Sequence, residues 1–124
     1  MNRILTNQKL NFQKMYTFDQ RYVEGLRILS KYPERIPIIC ERDEKCTSIS
    51  SLKKEKYLLE KTLTCAQFMY IIRKQLVLPA EMAIFLFVNG ILPNNNSTLA
   101  ELYQQHRSND GFMYIKYNSE NVFG

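Results

Sequence analysis

The chain has no tryptophan, one histidine, three cysteines, four glycines and four prolines among its 124 residues. A single imidazole, His106, removes the commonest general base and metal ligand from nearly every catalytic arrangement. Cys40, Cys46 and Cys65 are odd in number and include no CxxC pair, so there is neither a disulfide framework nor zinc-ligand spacing. Cysteine usage of this kind fits a reducing compartment, and neither a metal nor a cofactor is expected. No apolar run approaches the ~20 residues that a membrane-spanning helix needs. The opening residues, MNRILTNQKLNFQK, lack an apolar stretch with a small-residue cleavage site, so no secretory signal is expected. Such a protein meets a membrane only if something carries it there.

What is present is globular: 45% hydrophobic and 12% aromatic residues, in a length that fits one domain. A domain of this size buries roughly two-thirds of its unfolded surface, enough for one core. Seventeen Lys and Arg against twelve Asp and Glu give a net charge of +5, which favours acidic partners. The basic residues are spread along the chain, so a solvated surface with a basic bias accounts for them equally well.

Patterning then marks the elements. Phe18 ahead of Asp19, with Val23 four residues on, reads as a capped helix start with a hydrophobic staple. Tyr22, Leu26 and Leu29 fall on one face of that helix, and Tyr32-Pro33 ends it. Ile28 lies off the stripe beside Glu24, either exposed or lining a second contact surface. Residues 35–42, RIPIICER, read as a strand, with Pro37 marking an edge or one unpaired side. Residues 56–59, KYLL, read as a second strand. Thr64 with Gln67 forms a capping box and Leu63 with Phe68 a staple, opening a helix over 64–76 whose apolar face holds Phe68, Ile71, Ile72 and Leu76. Residues 83–88, AIFLFV, read as a central buried strand, followed by an Asn89-Gly90 turn and an antiparallel return through Ile91-Leu92-Pro93. Thr98 and Glu101 cap a short helix to about His106, and FMYIKY, 112–117, is the last strand. The order implies an α+β domain. Pattern alone does not choose among α+β folds.

Several stretches narrow the choice. Lys31-Tyr32-Pro33-Glu34-Arg35-Ile36-Pro37, Lys56-Tyr57-Leu58, Ile71-Ile72-Arg73-Lys74, Phe87-Val88-Asn89, Leu102-Tyr103 and the ending Phe123-Gly124 resemble the GABARAP/light-chain-three family of autophagy-related ubiquitin-like modifiers. The resemblance covers about residues 18 to 124. It implies a ubiquitin-like β-grasp with an N-terminal helical extension: residues 1–31 as the extension packed on the domain, 32–118 as the β-grasp, and 119–124 as a flexible conjugation tail. It further implies that the Gly124 carboxylate is adenylated by an E1-like activating enzyme, passed through an E2-like conjugating enzyme and joined to phosphatidylethanolamine. Glycine suits such a tail because it lacks Cβ and threads a narrow channel in any backbone conformation. Both a chain made ready and one trimmed to Gly124 fit this ending. The location implied is the cytoplasm and the autophagosome membrane, or a plastid membrane if the source is an apicomplexan.

The resemblance also implies a groove for short motifs of an aromatic, two variable residues and an aliphatic, carried by autophagy receptors and adaptors and added as a strand to a sheet edge. Glu24, Ile28, Pro37, Ile39, Lys56, Leu58 and Phe112 match the aromatic's pocket. Tyr57, Leu59, Leu63, Phe68 and Ile71 match the aliphatic's pocket, and Arg35 a contact for acidic residues. Lys56, Tyr57 and Leu58 would pair with the peptide. Leu58 and Leu59 are consecutive and so face opposite sides of a strand, one for each surface. Core packing accounts equally for Leu63, Phe68 and Ile71. Glu60 and Gln75 depart from the family's usual proline and basic residue, the loop between the first two strands is about one residue longer, and the longer N-terminus leaves the first short helix open.

Other readings are weaker. A Cys65/His106 dyad would place a thiol at a helix N-terminus, where the dipole lowers its pKa, but nothing supplies an oxyanion hole. Arg73-Lys74 and Lys53-Lys54-Glu55-Lys56 could serve RNA, yet no RNP-like aromatic strand accompanies them, and no nucleic-acid partner is expected. An adaptor that is never conjugated keeps the fold and drops the lipid.

Overall fold

The computed structural model describes residues 10–120. Four strands form one sheet in the order β2-β1-β4-β3: β1 Arg35–Arg42, β2 Lys56–Glu60, β3 Phe85–Val88 and β4 Met113–Asn118. The central pair, β1 with β4, is parallel, with Ile38 opposite Met113 and Arg42 opposite Tyr117. β2 adds antiparallel to β1 and β3 antiparallel to β4. With a helix crossing between the hairpin-like halves, this is the ubiquitin-like β-grasp arrangement.

The strand reading needs two corrections. β3 is expected at the centre because it is uniformly apolar, but among the described residues it pairs only with β4 and forms an edge. β1 was offered as an edge because of Pro37, but it lies inside the sheet. The alternative offered for that proline holds. Cys40 N–H donates to the Glu55 carbonyl and Lys61 N–H to that of Glu34, so even positions of β1 face β2 and odd positions face β4. Pro37 is odd and precedes Ile38, where the β4 pairing begins. Its missing N–H leaves no ladder bond unmade.

α3, Cys65–Leu76, and α4, Leu99–His106, start at the caps read from sequence. Thr64 and Gln67, and Thr98 and Glu101, each bond reciprocally. Val77 ends α3 in the left-handed conformation at φ 54°. The Asn89-Gly90 turn has φ of 51° and 73°, the signature of a type I′ turn. The expected return strand is only an isolated bridge between Val88 and Ile91.

The N-terminal part differs more. A short helix α1, Asn11–Met15, precedes α2, Phe18–Lys31. The cap of α2 is Thr17, in a capping box with Gln20, rather than Asp19. The Tyr22/Leu26/Leu29 stripe is not the buried face: Tyr22 is 43% and Leu26 48% exposed, whereas Ile28 is 4% exposed. The buried face runs through Gly25 and Ile28. A Cβ on Gly25 would stand 2.3 Å from the Asp110 carbonyl oxygen, so α2 meets the 110–111 turn backbone to backbone. That turn is fastened from below. Asp110, fully buried, accepts from Phe112 N–H (2.9 Å) and the Tyr114 hydroxyl, and Arg21 Nε lies 3.3 Å away.

Both faces of the sheet are covered. Ile36, Ile38, Leu86, Met113, Ile115 and Tyr117 pack with Phe68 and Ile72 of α3 and Leu99 and Leu102 of α4. On the other face Ile39, Phe112 and Tyr114 pack with Leu10 and with Ile28 of α2. Alternation along β4 sends Met113, Ile115 and Tyr117 to the first face and Tyr114 and Lys116 to the second. Of the tail expected at 119–124, Ser119 hydrogen-bonds the Ser48 hydroxyl. Phe123 and Gly124 lie outside the described residues.

Candidate peptide-binding groove

Among the described residues β2 is a free edge of the sheet. Because Tyr57 and Leu59 are hydrogen-bonded toward β1, the backbone groups of Lys56, Leu58 and Glu60 point outward. Arg35 reaches round this edge: its Nη1 donates to the Leu58 carbonyl (3.3 Å) and its Nη2 lies 3.6 Å from Glu60. Edge polar groups held by one exposed guanidinium are available to an added strand.

On the α1/α2 side of this edge lies a cavity of about 620 Å³. Glu24, Ile39 and Lys56, three of the seven residues expected around the aromatic, are among those that line it. Lys56 Nζ sits 3.4 Å from Glu24 Oε2, which also bonds Arg27 at 2.8 Å. The bond from Arg27 holds the Glu24 carboxyl below its usual range against the effect of burial, and Lys56 adds to this. Ile28 and Phe112 belong to the apolar cluster beneath, and Leu58 packs on it half-buried. Pro37 is buried opposite Leu58. None of these four is among the residues that line the cavity.

Residues the sequence reading did not name complete the wall: Phe12, Met15, Tyr16, Gln20, Arg21 and Glu55. Phe12 is the key one. Its ring stands edge-on to Phe112 at 5.1 Å and under the Lys56 ammonium at 5.7 Å. The signal available was the Phe12/Met15/Tyr16 spacing of one helical turn. Arg21 presents an unusual group here. Its Nε is within ion-pair range of Asp110 but off hydrogen-bond angle, and its buried Nη1 has no acceptor among the described residues.

On the opposite side of the edge, Leu59, Leu63 and Ile71 are half-buried and pack on the main core. Tyr57 and Phe68 belong to that core, edge to face at 5.6 Å. Leu58 and Leu59 thus serve opposite faces of the sheet. Burial pushes the Tyr57 phenol up to about 12, and its hydroxyl is buried without a partner among the described residues.

The dyad reading loses its premise. Burial raises the Cys65 thiol rather than the helix dipole lowering it, and among the described residues the side-chain bond of His106 is to Asn89. No described group of His, Cys, Asp and Glu could hold a metal ion.

The model of the family "Autophagy protein Atg8 ubiquitin like" matches residues 20–124. The chain belongs to the Atg8 family. This is the family that the KYPERIP stretch pointed to. It is similar to Autophagy-related protein 8 of Candida glabrata, 47% identical over 116 residues, covering 94% of this chain and 98% of that protein. The Schizosaccharomyces pombe protein of the same name is 45% identical over 113 residues, covering 91% and 93%. The crystal structure of Trypanosoma brucei ATG8 superposes with a TM-score of 0.85 at 32% identity, over 94% of this chain and all of that one. Membership makes the chain a ubiquitin-like autophagy protein working with the autophagy machinery.

Proposed function

We propose that this Atg8-family protein is conjugated through Gly124 to phosphatidylethanolamine and recruits autophagy receptors and adaptors through aromatic-x-x-aliphatic motifs. The observation that carries the peptide half is the free β2 edge flanked by the Glu24/Ile39/Lys56 cavity on one side and by Leu59, Leu63 and Ile71 on the other. A strand of alternating side chains laid on that edge sends residues to both sides. An aromatic anchor burying ~150–250 Å² yields roughly 4–6 kcal/mol gross, against ~2–5 kcal/mol for ordering the peptide. With a second anchor, micromolar affinity follows. Two acyl chains on one lipid give the lasting anchorage that one chain does not, and many copies on one membrane add avidity. The conjugate resides on the autophagosome membrane and the free form in the cytoplasm.

The conjugation half is tested by mixing the protein with E1-like and E2-like enzymes, ATP and phosphatidylethanolamine liposomes. The expected result is a lipidated band absent from Gly124→Ala. A motif peptide is titrated in parallel, with its aromatic replaced by alanine as control. Active enzymes that give no product, while the peptide still binds, leave an unconjugated adaptor. Equal binding of both peptides removes the groove reading.

A further inference from the structure

A second, smaller cavity of about 170 Å³ lies on the same face of the sheet, near the C-terminal end of α4. Lys116, Arg107, His106, Ser108, Asn89 and Gln13 are among its lining residues, and none of the lining residues is acidic. Lys116 is the unusual one. It is 7% exposed, yet among the described residues it has no hydrogen bond or ion pair. Its aliphatic stem is buried while its Nζ still reaches solvent. Burial accordingly holds it below its usual range, with Lys14 adding to this and Asp43, Glu44 and Glu41 opposing it.

Of these three acidic neighbours, Glu41 and Asp43 are already engaged. Glu41 stands opposite Lys116 in the parallel register, but its two oxygens accept from the N–H groups of Asn11 (2.8 Å) and Phe12 (3.0 Å) at the start of α1. Asp43 accepts from Asn118 Nδ2 at 2.7 Å. The His106 carbonyl, at the end of α4, faces Asn89 Nδ2 at 3.5 Å. Lys116, Arg107, His106 and Ser108 are the cationic or hydrogen-bond-donating residues that remain in the lining, with the Arg107 guanidinium resting over the Tyr103 ring at 6.0 Å. The Asn89-Gly90 turn forms its lip, and the exposed Ile91 and Leu92 follow it in sequence.

We propose that this cavity binds a phosphate monoester, with Lys116 as its counter-ion and Arg107, moving off the Tyr103 ring, as the outer clamp. The site is separate from the β2 edge and from Gly124, so it stands whether or not the peptide and conjugation readings do. The ligand's source is either a soluble phosphate or the headgroup of a monoester lipid lying against the Ile91-Leu92 lip.

The test is a ¹H–¹⁵N titration of the full chain with inorganic phosphate, against chloride at equal ionic strength. Saturable shifts are expected at Asn89, Gly90, Arg107 and Ser108 with phosphate alone. Lys116→Gln should weaken binding about tenfold or more, the factor carried by a charge-assisted hydrogen bond. Arg107→Gln, a change at an exposed position, should weaken it about threefold and guards against misfolding of the first variant. Sedimentation with phosphatidylcholine vesicles, with and without phosphatidic acid, separates the sources. Lys116-dependent shifts with inorganic phosphate point to the soluble ligand. Lys116-dependent binding to phosphatidic acid vesicles alone points to the headgroup. No saturable shift together with no Lys116-dependent vesicle binding overturns the proposal, as does phosphate binding that both variants leave unchanged.

Discussion

Gly25 offers a test in which two physical arguments predict opposite signs. Gly25 lies inside the 14-residue helix α2, and on helix propensity alone alanine there should stabilise by about 1 kcal/mol. The packing argues the reverse. The new Cβ would stand 2.3 Å from the backbone oxygen of Asp110 and 3.4 Å from its carbonyl carbon. A backbone atom cannot swing away as a side-chain end can. The 110–111 turn is also held by the bonds of Asp110 to Phe112 and Tyr114. Relief therefore requires α2 to shift off the sheet by roughly an ångström, an overpacking penalty at or above the upper part of the usual ~1–3 kcal/mol range. The net expectation is a loss of about 1–2 kcal/mol, a fall of roughly 4–8 °C in Tm for a domain of this size. Urea or thermal unfolding followed by circular dichroism measures it. Because Glu24 and Ile28 ride on the same helix, the affinity for an aromatic-x-x-aliphatic peptide should fall with it. A Gly25→Ala protein as stable as the parent, or more so, would refute the close docking of α2 on this turn.

Three further outcomes follow from the same structure. Phe112→Ala removes a fully buried ring under Phe12 and should cost about 3–5 kcal/mol, read from the urea midpoint at unchanged slope. Burial raises Tyr57 to about 12 and raises Tyr114 and Tyr117 as well. A folded pKa above the unfolded value of about 10 makes this contribution to stability complete below pH ~10 and lost as pH rises toward 12. Absorbance at 295 nm should thus show ionisation of Tyr57, Tyr114 and Tyr117 only in a step linked to unfolding, and their ionising near pH ~10 in the folded protein would contradict it. Burial raises the thiols of Cys40 and Cys65, whereas Cys46 is lowered because hydrogen bonds from Ser119, Ile49 and Ser48 outweigh its burial. Iodoacetamide mapping by mass spectrometry should find Cys46 alkylated first, and Cys65 reacting ahead of it would reverse the ranking.

Much of this architecture was legible because its signals are local. Thr64 with Gln67 and Thr98 with Glu101 need only residues three apart to announce a helix start, and both do. Asn89-Gly90 announces its turn for the same reason. Strand position was not legible. The apolar run ending in Phe85–Val88 looks central, but its place depends on β4, which is distant in sequence. Hydrophobicity does not mark the buried face of α2. The docking face is defined by a residue with no side chain, Gly25, where close backbone approach matters more than apolar area. Tyr22 and Leu26 outscore it in hydrophobicity and stay at the surface. The cavity was half legible. Glu24, Ile39 and Lys56 were reached through the resemblance, whereas Phe12 and Arg21 come from the folding of α1 and the start of α2 across the sheet, which no spacing within one element reveals.

The parallel pairing at the middle of the sheet makes β4 the closing piece of the molecule. Until Met113–Asn118 is in place, β3 has no strand partner and β1 has only β2. Neither layer is complete either: β4 sends Met113, Ile115 and Tyr117 to one and Tyr114 to the other, with Phe112 just ahead of it. A nascent chain stopped short of position 113 therefore carries a hairpin, its helices and two apolar surfaces that nothing covers. Joining positions 38 and 113 closes a long loop, which makes assembly of the sheet late and comparatively slow. Truncation before Met113 should accordingly give aggregation rather than a smaller folded domain. The last strand thus works as a completeness check: a chain whose synthesis has stopped before it cannot present the folded body.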